Sequence, residues 1–196
     1  MMRRRLEPLG RMALQVGYWA WETATGPVIF ASRYGEIGRS VELLRQVAQD
    51  EPISPTGFSM SVHNAIGALH SIARGVPTAY TAIAAGSETV EAAFTEAMSL
   101  MADGEDSVSL VYYDEALPDL YAPLVEHAEF SRAWACQLRR TQGAGLSLSA
   151  TLADPRAQAC PSAWSADLAA LRFLISDDAS HERVVGRRAW QWRRHA

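Results

Sequence analysis

Apolar residues recur at three- and four-residue intervals at the start of the chain: Leu6, Leu9, Met12, Ala13, Val16 and Ala20. At 3.6 residues per turn these positions form one stripe, so the first twenty residues are predicted to be a helix with a single buried face. Tyr18, Trp19 and Trp21 crowd its end and are expected to pack on a sheet. After Thr25-Gly26 the pattern becomes a continuous apolar run, Pro27-Val28-Ile29-Phe30-Ala31, as in a strand covered on both faces. Beyond Ser32-Arg33-Tyr34-Gly35 a second helix is predicted, with Ile37, Val41, Leu44, Val47 and Ala48 inward. Turn formers from Asp50 to Gly57 predict a loop. From Ser61 a third helix should bury Val62, Ala65, Ile66, Leu69, Ile72 and Ala73 until Gly75 ends it.

The stretch with most functional content follows. Val76 to Ile83 holds β-branched and aromatic residues and reads as a short strand, which bends at Ala84-Ala85-Gly86. Ser87 is the expected N-cap, with Glu88 and Glu91 in the opening turn of a helix. Val90, Ala93, Phe94, Ala97, Met98 and Met101 form its apolar face, and Asp103-Gly104 stops it. Val108 to Tyr113 is a strand again, so a parallel βαβ unit is predicted. Further on, residues 114–129 loosen around Pro118 and Pro123, and Arg132 to Ser149 reads as a hairpin turning at Thr141 to Gly145. Thr151 to Ser162 reads as loop, and Trp164 to Ile175 as a helix burying Leu168, Leu171, Leu174 and Ile175. The tail places Trp190 and Trp192 among arginines and is expected to cover the domain with its indoles buried, rather than to stack on RNA. The alternation of elements predicts an α/β fold, a layered mixed sheet with helices on both faces.

A chain of 196 residues fits a single domain, 1–196, able to bury roughly 70% of its unfolded surface. A net charge of −4 gives no reason to expect nucleic acid as a partner. All 18 basic residues are arginine, which excludes Schiff-base, P-loop-lysine and serine–lysine chemistry. Cys136 and Cys160 are too few for a disulfide framework and lack metal-ligand spacing, a usage that suits a cytoplasmic protein. No run approaches the ~18 apolar residues of a membrane helix, and Glu7, Pro8 and Arg11 interrupt any signal-peptide core behind Arg3-Arg4-Arg5.

Candidate chemistry is sparse. His63 near Ser59 or Ser61 is a conceivable nucleophile–base pair, the basis of an alternative reading as a serine/histidine hydrolase or acyltransferase of α/β fold. A packed helix start capped by Ser61 is the plainer reading. His63 and His70 are seven apart, not the four of helical zinc pairs, so no metal is expected. Asp177 to Glu182 reads as solvated surface, and no glycine-rich phosphate loop is present, so no cofactor is expected. The elbow itself, Thr81-Ala82-Ile83-Ala84-Ala85-Gly86, has the strand-to-helix form on which several families mount a nucleophile. Here the presented residue is Ile83, which has no lone pair and no proton to give.

That elbow resembles the Thr-Ala-Cys-x-Ser-Gly elbow of β-ketoacyl synthases, which have the thiolase fold. The similarity is greatest to the β-ketoacyl-synthase-like chain length factors of aryl polyene biosynthesis. It is carried by Arg3-Arg4-Arg5-Leu6-x-Pro8-Leu9-x-Arg11-Met12-Ala13, Val28-Ile29-Phe30-Ala31-Ser32-Arg33-Tyr34-Gly35-Glu36, Ser61-Val62-His63-Asn64-Ala65 and Tyr80 to Gly86. The resemblance implies a thiolase-like N-terminal half and an inactive subunit with no catalytic residues, its degenerate nucleophile position being Ile83. It further implies an active ketosynthase as heterodimer partner, with acyl carrier protein met only indirectly. Thr78, Ala79, Tyr80, Thr81 and Ala82 would lie at the partner interface, and Phe58, Met60, Val62, Ile66 and Ile83 would floor the acyl tunnel. Relatives usually carry a strand before the arginine-rich lead-in, and the region with their two catalytic histidines is expected to lie beyond this chain.

Overall fold

The computed structural model describes residues 6–21, 26–75, 77–125, 127–154 and 164–195. Arg3 to Arg5, Thr25, Val76 and Cys160 lie outside the described residues. The element order is α1 (Pro8–Ala20), β1 (Val28–Ala31), α2 (Ile37–Ala48), α3 (Pro55–Ser61), α4 (Ala65–Arg74) and β2 (Tyr80–Ile83). A 3₁₀ turn (Gly86–Glu88) leads into α5 (Thr89–Ala102), and β3 (Ser107–Asp114), a second 3₁₀ turn (Asp119–Leu124) and β4 (Arg132–Arg139) follow. The chain ends with β5 (Gly145–Leu152), α6 (Ala166–Ile175), β6 (Ser180–Val185) and β7 (Arg188–His195).

Two sheets form. The first has order β2-β1-β3-β4, the second β5-β7-β6. β1 pairs in parallel with both β2 and β3, and β4 joins β3 antiparallel. The predicted βαβ unit therefore exists with β1 inserted between its two strands, because β1 is apolar on both sides and takes the centre. Side chains of β1 alternate between two cores. Val28 and Phe30 meet α1 and α4 on one face, with Leu9, Ala13, Ile66 and Leu69. Ile29 and Ala31 meet α5 and α6 on the other, with Val90, Phe94 and Phe173. Trp192 of the second sheet closes that core from beyond the helices, giving alternating helix and sheet layers. The α/β class with helices on both faces of the first sheet is thus observed.

Several expectations are corrected. Residues 132–149 do not form a hairpin: β4 adds to the first sheet and β5 pairs with β7 in the second, so the chain changes sheets at the intervening turn. The helix expected from Ser61 begins only at Ala65; Ser61 instead ends α3, which starts at Pro55 inside the predicted loop on a Ser54 cap that accepts from the Gly57 amide (3.2 Å). α4 is rotated so that Gly67 and His70 face inward and Ile72 is exposed; the missing side chain of Gly67 lets Tyr80 and Phe30 close on the helix. On α2 only Val41 is buried, whereas Leu44 and Val47 face outward, because the helix packs chiefly on α3. Trp21 packs inside, but Trp19 is 77% exposed and Tyr18 lies under the Arg74 guanidinium, 3.9 Å from its ring centre. α6 buries Ala170 and Phe173 and exposes Ile175, its phase set by Asp167, which is anchored in the interior. Thr151 and Leu152 continue β5 where loop was expected. Trp190 and Trp192 are buried in a tail that forms the β6–β7 hairpin.

Candidate functional site

In open α/β sheets, ligands gather at the carboxyl ends of parallel strands. Here β1 ends at Ala31, β2 at Ile83 and β3 at Asp114, and the three ends are tied together. The Ser32 amide donates to the Ile83 carbonyl (3.1 Å). The Ser32 hydroxyl donates to Asp114 (3.0 Å) and accepts from the Gly35 amide (2.8 Å). The Ser32 carbonyl accepts from His63 Nε2 at 2.9 Å. A carbonyl oxygen can only accept, so Nε2 carries the proton in this contact. Gly35 adopts φ +61°, and a Cβ there would lie 3.3 Å from the His63 ring. Glycine is thus required both for the left-handed turn and for the ring that rests on it.

Ile83 stands where expected, at the strand-to-helix corner. It is partly buried, packs on the α5-side core and is followed by Gly86 at φ +56°. The N-cap expectation is corrected: Ser87 does not cap α5. The Thr89 hydroxyl instead accepts from the Ala85 amide (2.9 Å) and donates to the Gly86 carbonyl (2.7 Å), stitching the bend closed. Thr89 does this because its hydroxyl is within one turn of both groups and is itself buried.

Beneath the strand ends lies a charge network that sequence reasoning missed. Asp114 accepts from the Arg33 amide (2.9 Å), Arg33 Nε (3.0 Å) and the Tyr112 hydroxyl (3.0 Å). Arg33 also reaches Glu129 at 2.6 Å. Arg132 donates twice to Asp167, at 2.9 and 2.7 Å, and Ser165 and Trp134 add donors to the same carboxylate. Burial alone would raise the Asp167 pKa, but the Arg132 hydrogen bonds and charge outweigh it and hold the group below the usual aspartate range. Burial opposes ionisation of Arg33 as well, yet its bonds to Glu129 and Asp114 keep it more firmly charged than usual. An acid closing an otherwise apolar strand (Asp114) and an arginine opening the next (Arg132) were the available signals.

The serine–histidine alternative finds no dyad at the residues proposed for it. Ser59 donates to the Pro55 carbonyl and Ser61 to the Phe58 carbonyl, both at 2.8 Å, while His63 serves Ser32. Cys136 is an inert candidate nucleophile, its thiol pushed by burial up to about 12. No group of three or more metal-ligating side chains occurs among the described residues. A cleft of about 410 Å³ beside α2 is lined by Glu7, Glu36, Arg39, Glu42 and Glu115, remote in type from an acyl site; burial raises Glu36 and Glu115.

The tunnel candidates fall into three places. Ile66 is buried with Met60 beside it in the α1/α4 core, Ile83 packs across the sheet, and Phe58 and Val62 are largely exposed. The interface candidates lie on or beside β2, an edge strand of the first sheet. β2 contacts β1 through the Ala79 carbonyl, which accepts from Val28, and the Ile83 carbonyl, which accepts from Ser32. With Val28 opposite Tyr80 and Phe30 opposite Ala82, the peptide groups of Tyr80 and Ala82 are those directed away from β1.

Residues 1–193 match the family described as beta-ketoacyl synthase, N-terminal domain. The chain belongs to that family. This β-ketoacyl synthase domain is also similar to a chain of the ketosynthase (ApeO) in complex with its chain length factor (ApeC) from Xenorhabdus doucetiae. That match has a TM-score of 0.84 and 26% identity, and covers 97% of this chain and 79% of the other. The fold recurs in the ishigamide ketosynthase/chain length factor, with a TM-score of 0.61 and 15% identity over 76% of this chain and 49% of that one. No curated protein matches. The thiolase-like ketosynthase fold is therefore shared.

Proposed function

We propose that this chain is a catalytically inert, ketosynthase-like subunit of the chain-length-factor type. It pairs in the cytoplasm with an active β-ketoacyl synthase in polyene, polyketide or fatty-acid-like biosynthesis. The observation that carries this reading is Ile83 at the elbow, on an edge strand with peptide groups left over for another chain. A hydrocarbon side chain forms no thioester, so acyl transfer by the family route has no starting point here. It does fill space, and a branched apolar residue at the corner keeps a shared cavity dry.

Strand addition at a free edge is a general mode of assembly, and it would use the outward amides and carbonyls of Tyr80 and Ala82. Thr78, Ala79 and Thr81 would then flank the contact. Phe58 and Val62 offer exposed apolar surface, and with Met60, Ile66 and Ile83 they would floor the partner's acyl tunnel and limit chain growth. Acyl carrier protein would meet this subunit only through the partner. Among the described residues no helix is long and apolar enough to cross a membrane.

The test is co-expression with the ketosynthase of a neighbouring gene, followed by native mass measurement and product analysis. Ala82→Pro removes one outward amide without touching the β1 ladder, and edge strands tolerate proline. The expected result is a heterodimer with the unaltered chain and none with the proline variant. An acyl adduct on this chain, or condensation by the chain alone, would refute the inert role.

A further inference from the structure

The helix that follows the elbow is gripped from the far end of the sequence. Arg183 of β6 donates from Nε and Nη2 to the Glu91 carboxylate at 2.9 and 2.7 Å, and from Nη2 to the Ser87 carbonyl at 2.6 Å. Trp190 of β7 donates from its indole to Glu88 at 2.7 Å, and Arg188 reaches the same carboxylate at 3.1 Å. Glu91 is 1% exposed and Trp190 8%, and the Arg183–Glu91 and Trp190–Glu88 bonds are part-buried, joining residues some 92 to 102 positions apart. Every acceptor sits within the bend or the first turn of α5, between residues 87 and 91. The opposite side of that bend is held by Thr89 and, through the Ile83 carbonyl, by Ser32.

Acids in the first turn of a helix ordinarily serve its dipole. Here Glu88 and Glu91 do more, since each is consumed by a donor of the β6–β7 hairpin. We infer that the hairpin is a clamp on the elbow, with Arg183 and Trp190 as positioning residues that hold Ile83 and the end of β2 in one geometry. The hydrogen bonds of both residues go to residues 87–91 and not to the edge presented to a partner. Their effect passes through residues 84–91, and because it concerns the partner surface it rests on the function proposed above.

The clamp is tested by hydrogen exchange resolved to residues 80–92, alongside ketosynthase binding by calorimetry. Trp190→Phe keeps an aromatic ring in the core but removes the donor to Glu88; Arg183→Met keeps the apolar stem and removes all three bonds. Exchange at 84–91 is expected to rise about tenfold or more in either variant, with α1 and β3 unchanged, and partner affinity to fall about tenfold. Arg183→Lys should recover part of both. Unchanged exchange at 84–91 in both variants overturns the clamp whatever the binding result. Faster exchange with undiminished affinity overturns the positioning role. If the unaltered chain binds no ketosynthase, the assembly reading fails, while the exchange data still decide the clamp.

Discussion

His63 and Ile83 are joined through one residue: His63 donates to the carbonyl of Ser32, whose amide donates to the carbonyl of Ile83. The segments around Ser32, His63 and Ile83 carry the family resemblance, and they converge on this point. The Ser32 hydroxyl completes the junction by linking Gly35 and Asp114. Ser32→Ala should leave the Gly35 amide without its acceptor and take one donor from Asp114. A buried polar group left unsatisfied costs about 1–3 kcal/mol. Urea unfolding should show a loss in that range, with added exchange at 33–36; a loss within experimental error would mean the hydroxyl is not the junction.

Arg132 and Asp167 form the most buried ion pair of the network, at 6% and 1% side-chain exposure. Breaking one side of such a pair strands the other charge, at a cost of about 3–5 kcal/mol. Asp167→Ala is expected to fall in that range by denaturant titration. The pH sign follows from the depressed aspartate pKa. The pair's contribution is intact above the ordinary aspartate value of 3.8 and is lost as pH falls through the lower folded value. The variant should therefore show a flatter stability profile at the acid end than the unaltered protein.

His70 titrates in a different window. It is buried against the Phe30 ring, with centroids 5.3 Å apart, and burial, followed by the nearby Arg74 charge, pushes its pKa from 6.5 down to about 4. The unfolded chain takes up a proton that the folded chain refuses, so stability is whole above about 6.5 and declines as pH falls toward 4. At 1.36 kcal/mol per pKa unit the effect is on the order of 3 kcal/mol. His70→Leu should lessen that slope between pH 6.5 and 4 in unfolding measurements, whatever its effect at pH 7, leaving the share of His181, whose pKa burial also lowers. An unchanged slope in the variant would assign it to other groups.

Much of the fold was legible in the chain, and the places where it was not have common causes. Val28 to Ala31 reads as a buried strand because four apolar residues in a row admit little else. The elbow at Ile83 reads from strand-forming residues that run straight into glycine and a helical pattern. Helix phase was less visible: Leu44, Val47 and Ile72 look like core by spacing, but face outward because a neighbour rather than the sheet sets the rotation. The pairing of β4 and β5 with different sheets is a long-range choice that local pattern does not encode. The buried charges were hidden for the same reason, since Asp167 acquires its meaning only beside Arg132, 35 residues away.

Gly67 links that hidden phase to the proposed partner surface. A Cβ at this position would lie 2.6 Å from Tyr80 Cδ2 and 3.1 Å from Phe30 Cδ2. Phe30 is fully buried and fixed, whereas Tyr80 lies on the edge strand and can move. Alanine would gain roughly 0.5–1 kcal/mol of helix propensity, and overpacking costs about 1–3 kcal/mol, so the clash should win by about 1 kcal/mol. Gly67→Ala is thus expected to lower stability modestly and to displace Tyr80 together with β2. Ketosynthase affinity should fall by more than the change in unfolding free energy explains, because the displaced strand is the one offered for pairing. Urea titration and calorimetry on the same variant separate the two effects. A stabilised variant with full affinity would show that the Tyr80 ring is not seated on α4.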